Sequence, residues 1–172
     1  IKMAVDPNAG QSEMADFMGI VVMGRHRETF KRYVLEARKF KGSIIEQAKV
    51  FDDIYTKWQP ALAGVEKVMN QTALYQLLLG SGKDYRLTAL SPEGKDKVNR
   101  ARHVEPLVEN GTILFHPSHV ELYDEMIQFP NGVHDDVLDA LLFVNGMFAE
   151  STVSLKQEKS PMLTSGIRTK QF

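Results

Sequence analysis

Five carboxylates carry most of the chemistry this sequence could perform: Asp6, Glu66 and the group Asp135, Asp136 and Asp139. Carboxylate oxygens are hard ligands and suit Mg²⁺ or Mn²⁺, whereas softer ions prefer imidazole and thiolate. Two such ions roughly 3.5–4 Å apart can hydrolyse a phosphodiester, one activating the water and one steadying the leaving oxygen. That arrangement needs one shared carboxylate with others around it. Asp6 is the candidate for the shared ligand, and Glu66 for the second ion. The segment 129–141 offers the rest. Pro130 and Gly132 make a turn, and a helix then opens on adjacent acids. The helix dipole favours acids in a first turn, so Asp135 or His134 could act only as a cap. Asp139 argues for more. It lies three residues from Asp136 and four from Asp135, hence on their face of the helix, inside an apolar stretch where a carboxylate needs a partner or a metal.

The elements that must position these acids read as strands and helices in a definite order. Met3, Ala4 and Val5 form a buried strand ending at Asp6, with Pro7, Asn8, Ala9 and Gly10 turning the chain. Residues 19–24 and 29–37 read as a hairpin-connected antiparallel pair. Ser43 and Glu46 stand in capping-box position before an amphipathic helix, which Pro60 closes. A short strand, 62–66, follows with Glu66 near its end. Then come a helix at 71–79, a strand at 85–90 and a helix at 95–110 that Pro106 breaks or kinks. A strand at 112–115 precedes a helix at 120–128, with Leu122, Met126 and Ile127 facing inward, and a last helix at 134–150. The pattern is α/β with a mixed sheet. Sites in such folds gather at the C-terminal ends of parallel strands, where Asp6 and Glu66 both fall.

Composition sets the outer bounds. The chain of 172 residues is 43% hydrophobic and suits one domain with a real core, expected over 1–150, followed by a polar, extended or mobile tail over 151–172. It starts without methionine inside a strand, as an excised domain would. The sequence contains no cysteine, which excludes disulfides, thiolate zinc sites and cysteine nucleophiles. No apolar run approaches a membrane span and no signal peptide precedes the first strand, so a soluble intracellular protein is expected. The net charge of −1 does not announce a nucleic-acid partner. Residues 24–41, however, hold seven Lys or Arg against two Glu, a run that is either a solvated face or a phosphate-binding patch. A second basic group, Lys95, Lys97, Arg100 and Arg102, lies on the helix at 95–110. Gly80-Ser81-Gly82-Lys83 looks like a phosphate loop and fails as one, because Leu77 and Asp84 stand where Gly and Ser or Thr are required. Asp16 reads as a turn residue, and Phe51 and Trp58 as core.

The motifs also resemble a known family. Phe129-Pro130, His134-Asp135-Asp136 and Asp139-Ala140-Leu141 are similar to the last motif of the nuclease domain of phage terminase large subunits. Val5-Asp6-Pro7 resembles that family's first motif, and Gly64-Val65-Glu66 with Asn70-Gln71 its second. The stretch from Lys95 through Arg100 to Glu109-Asn110-Gly111-Thr112-Ile113 matches what precedes the final helices. The resemblance runs in order from about residue 3 to 149. It implies an RNase H-like mixed sheet flanked by helices, and an endonuclease that cuts concatemeric viral DNA during genome packaging with two Mg²⁺ or Mn²⁺ ions, leaving a 3′-hydroxyl and a 5′-phosphate. Asp6, Glu66 and Asp136 would be its core ligands, with Asp139 next and Asp135 open. His134 could touch a metal-bound water or a phosphate, or only cap the helix, and Lys97 and Arg100 would contact the DNA backbone. The implied partners are double-stranded DNA, an ATPase motor domain of the same full-length chain, the portal and the small terminase subunit, in the host cell cytoplasm.

Rival readings stay open at this point. Another RNase H-like enzyme (a resolvase, transposase or ribonuclease H) would use the same acids. A non-catalytic DNA-binding or motor-docking module would use them only as caps and pairs. A structural calcium site is disfavoured, since no Asp-rich loop of calcium spacing occurs.

Overall fold

The structure is a computed structural model, which describes residues 1–7, 17–67, 73–91 and 96–157, with side chains up to residue 148. The expected features at Asn8–Asp16, Asn70, Gln71 and Lys95, and most of the C-terminal tail, lie outside the described residues.

Among the described residues eleven elements follow in order: β1 (Lys2–Asp6), β2 (Met18–Arg25), β3 (Arg32–Phe40), α1 (Ile44–Trp58), β4 (Ala63–Glu66), α2 (Ala73–Gly80), β5 (Leu87–Leu90), α3 (Lys97–Glu109), β6 (Ile113–Leu114), α4 (Val120–Gln128) and α5 (Asp136–Gln157). The strands form one sheet in the order β5-β4-β1-β2-β3-β6. β1, β2 and β3 are antiparallel neighbours, while β4 lies parallel to β1, β5 to β4 and β6 to β3. The sheet is mixed, as the element order implied, and β1 is central.

Alternation along the strands divides the apolar residues between two cores. Met3, Val5, Ile20, Val22, Ala63 and Val65 pack under α1 and α2, against Phe51, Ile54, Leu74 and Leu78. Ala4, Val21, Met23 and Val34 face the other way, against Val104 of α3, Leu122 of α4 and the apolar length of α5. Each fully buried aliphatic side chain contributes about 1.5–3 kcal/mol. With Val137, Leu138, Leu141, Leu142 and Val144 all buried, α5 is anchored chiefly by this burial.

Local signals set most boundaries. Ser43 caps α1 with its hydroxyl, and Glu46 returns to the Ser43 N–H at 2.8 Å, completing the capping box. Three expectations need correction. Pro106 does not break α3, which runs on to Glu109: proline removes only its own N–H from the ladder, and its carbonyl still accepts from Asn110. Ile127 is 65% exposed rather than inward. It lies five residues past Leu122, on the opposite face of α4 from Leu122 and Glu125. α5 runs on to Gln157, past the end expected at residue 150.

Candidate active site

Asp6 and Glu66 end neighbouring parallel strands. Val5 is level with Val65, so the two acids are level at the next position. They also fall on the same face, since Val5 and Val65 point towards α1 and α2 and the following residue of each strand points towards α5. Burial first, then a hydrogen bond shared with Glu66 and the negative charges of Glu66, Asp139 and Asp136, push the Asp6 carboxyl up to about 10. Three of the other candidate acids, one from β4 and two from α5, therefore act on Asp6 of β1.

A glycine makes the meeting possible. Gly19 pairs with Asp6 on one side and with Lys39 on the other. Glu66, Asp6, Gly19 and Lys39 thus form a cross-strand row on the α5 face. A Cβ at Gly19 would lie 2.0 Å from the Asp136 carbonyl oxygen and 2.8 Å from the Val137 nitrogen. The start of α5 sits directly on the sheet backbone at that gap, with Asp136 between Asp6 and Lys39.

The α5 acids are not equivalent. Asp136 and Asp139 are buried, at 8% and 7% exposure. Burial lifts Asp139 to about 6, against the opposing pull of Lys97 and Arg100. Asp135 is more exposed and faces α3, where its carboxylate lies 2.7 Å from Lys97 Nζ. Lys97 bridges to Asp139 as well, and Arg100 Nη2 reaches Asp139 at 3.3 Å while its guanidinium covers the Phe143 ring. The two residues expected to contact DNA are here held by the acids. His134 lies at the rim, edge-on to Phe17, with Nδ1 3.9 Å from Asp136.

Asp135 stands at the N-cap of α5 by its backbone, its carbonyl accepting the Asp139 N–H at 2.8 Å, but neither its side chain nor His134 takes the N–H groups of Val137 and Leu138. Glu125 of α4 takes both from across the core, its Oε2 accepting the Val137 N–H at 2.8 Å and the Leu138 N–H at 2.9 Å. Its Oε1 accepts from Lys39 at 2.8 Å, and the same ammonium lies 3.6 Å from Asp136 Oδ2. Sequence reasoning missed Glu125 and placed Lys39 only within a basic run. A signal existed: Glu125 lies three residues after Leu122, an acid on the inward stripe of an amphipathic helix. The basic run itself is divided by strand alternation. Arg38 pairs with Glu36 at 3.2 Å, Lys39 turns in to Glu125, and Arg25 and Arg32 lie over Phe148. The false phosphate loop follows α2, and its Lys83 pairs with Asp52 of α1.

The donor set fits Mg²⁺ or Mn²⁺ in type and in charge. It consists of carboxylates, and the crowding that raises Asp6 is what a divalent cation would relieve. Among the described residues, no three acid or imidazole side chains converge on a single ion position. Lys97, Arg100 and Lys39 stand among them instead.

The fold is shared with solved nucleases. The P22 large terminase nuclease domain superposes with a TM-score of 0.64 at 14% identity, covering 86% of this chain and 80% of that one. The g2p large terminase nuclease domain from bacteriophage SPP1, solved with bound Mn, gives 0.58 at 15% identity over 85% of each chain. The Fowlpox virus resolvase in complex with Holliday junction DNA gives 0.55 at 11% identity, over 87% of this chain and 99% of that one. No curated protein sequence matches significantly. No helix among the described residues is long and apolar enough to cross a membrane. The sequence profile of the terminase RNaseH-like domain matches residues 3–144, so the chain belongs to that family, with the RNase H-like fold its sheet order displays.

Proposed function

We propose that this chain is a metal-dependent endodeoxyribonuclease that cuts concatemeric viral DNA during genome packaging. The observation that carries the reading is the buried Asp6 carboxyl at the end of the central strand, hydrogen-bonded to Glu66 and within the field of Asp136 and Asp139. Asp6, at the centre of that group, would be the ligand shared by two cations. Glu66 would hold one ion from β4, and Asp136 with Asp139 the other from α5. Asp135 ranks behind them, because it faces α3 and is not among the charges that raise Asp6. Bound Mg²⁺ or Mn²⁺ would supply the activated water and the charge that steadies the leaving oxygen. The bound Mn in the SPP1 nuclease domain supports that choice of ion.

The remaining residues bind and orient the substrate. Arg100 buries Nε and Nη1 without an acceptor among the described residues, two donors suited to a phosphate. Lys97 is the second backbone contact, and His134 at the rim could hold a phosphate oxygen. Double-stranded DNA is the substrate in this reading. A motor domain of the same full-length chain, the portal and the small terminase subunit are its partners, in the host cytoplasm, with residues 1–150 as the catalytic unit.

Likeness to the Fowlpox resolvase favours one second reading, cleavage of branched DNA. Incubating the protein with Mn²⁺ and either linear duplex, plasmid or a four-way junction separates the two. Duplex cleavage that vanishes in Asp6→Ala, with the fold retained, supports the proposal. Wild-type cleavage by that variant would sink it, and exclusive cutting of the junction would favour the resolvase reading.

A further inference from the structure

We infer that Glu125 is a positioning residue for the acids of α5, working with Lys39 to seat Asp136 beside Asp6; this rests on the metal-binding reading of those acids. Glu125 is 5% exposed, and both of its oxygens are committed. Oε2 accepts the Val137 and Leu138 N–H groups, two of the donors that a helix start leaves without an intrahelical acceptor. Oε1 takes the Lys39 ammonium at 2.8 Å, which holds it 3.6 Å from Asp136. One carboxylate therefore does two things. It fixes the first turn of α5 over the gap at Gly19, and it draws Lys39 off the carboxylate that must be offered to a cation.

The geometry explains why an acid is needed at position 125. A neutral amide in the same place still presents one oxygen to the two N–H groups, but it gives Lys39 no counter-charge. The nearest carboxylate for Lys39 is then Asp136, and a lysine on that carboxylate competes with a metal ion. An alanine removes the cap as well. Outer partners that orient metal ligands typically change affinity by about 10–100-fold when lost.

Mn²⁺ titration of the purified chain by electron paramagnetic resonance tests this, using wild type, E125Q, E125A and the double variant K39M/E125Q. E125Q is expected to bind Mn²⁺ at least ~10-fold more weakly, and K39M/E125Q to return to within about threefold of wild type. A merely structural role for Glu125 predicts no such rescue. E125Q within twofold of wild type, or a double variant no better than E125Q, overturns the inference.

Amide exchange at Val137 and Leu138, read without metal, keeps the two readings apart. Both amides should be protected in wild type and exposed in E125A, while those of 141–147 stay protected in both. Unprotected amides in wild type overturn the inference even if Mn²⁺ binds. Wild type that fails to bind Mn²⁺ while E125A deprotects these amides removes the metal reading and leaves the seating of α5 by Glu125 supported.

Discussion

Lys97 Nζ lies 2.7 Å from the Asp135 carboxylate and bridges to Asp139, so a cation from α3 occupies the acids of α5. Although burial alone would lower its pKa, hydrogen bonds to Asp135 and Asp139 raise it above the ordinary lysine value. On the proposed reading a divalent ion held by Asp139 would displace that ammonium and free Lys97 for a phosphate. Lys97→Ala should bind Mn²⁺ about fivefold more tightly, a difference of ~1 kcal/mol for a partly exposed pair. It should bind duplex DNA more weakly and with a shallower salt dependence, by about one unit of slope per lost phosphate contact. Calorimetric titration with Mn²⁺ and a salt series of DNA binding check both halves. Unchanged Mn²⁺ affinity would show that Lys97 does not compete.

Asp6 predicts a trade of stability against activity. Its carboxyl is buried among three other acids and, pushed up to about 10 by burial first and then by those acids, must hold a proton near neutral pH, which without a metal opposes folding. Asp6→Asn should leave metal-free protein at least as stable as wild type in a thermal melt near neutral pH, with a gain of up to about 1–2 kcal/mol. The stabilisation that added Mn²⁺ gives wild type should be absent from the variant. A variant that melts well below wild type would mean the crowding is already relieved by other means.

At position 19 the backbone decides. An alanine Cβ would meet the Asp136 carbonyl at 2.0 Å, and a helix start cannot yield as a flexible side chain does. Gly19→Ala should cost about 1–3 kcal/mol and push Asp136 away from Asp6. Chemical denaturation gives the first quantity, and loss of Mn²⁺ affinity reports the second. Wild-type values in both would refute the close approach.

Glu36 supplies a pH dependence remote from the acids. Burial raises its pKa, but hydrogen bonds from Lys57 at 2.8 Å and Trp58 at 2.7 Å, with the Arg38 charge, outweigh it and hold Glu36 below the ordinary range. A depressed carboxylate stabilises the fold above its unfolded pKa and loses that contribution as pH falls through its folded one. Glu36→Gln should flatten the acid limb of stability below about pH 4.5, by less than ~1 kcal/mol because Lys57 is well exposed. Denaturation midpoints at pH 3, 4, 5 and 7 test the sign; a steeper acid limb in the variant would reverse it.

Most of the elements and the identity of the acids are legible in the chain alone. Period-two and period-3.6 apolar patterns, the Ser43 capping box and the turn at Pro130 and Gly132 are local, so they can be read without partners. The strand-end position of Asp6 and Glu66 followed from the same patterns. Which acids meet depends on how the helices pack on the sheet. Asp135, Asp136 and Asp139 share one helix end, and only the landing of α5 on Gly19 turned Asp136 towards Asp6 while Asp135 faced Lys97. The inward stripe of α4 marked Glu125 but not its partner: the pairing with Lys39 spans 86 residues of sequence and exists only once α4 and β3 pack together. A residue's type and spacing carry its chemistry, but a long-range pair has no local pattern to reveal it. Its partner is set by register and helix seating, which depend on the whole core at once.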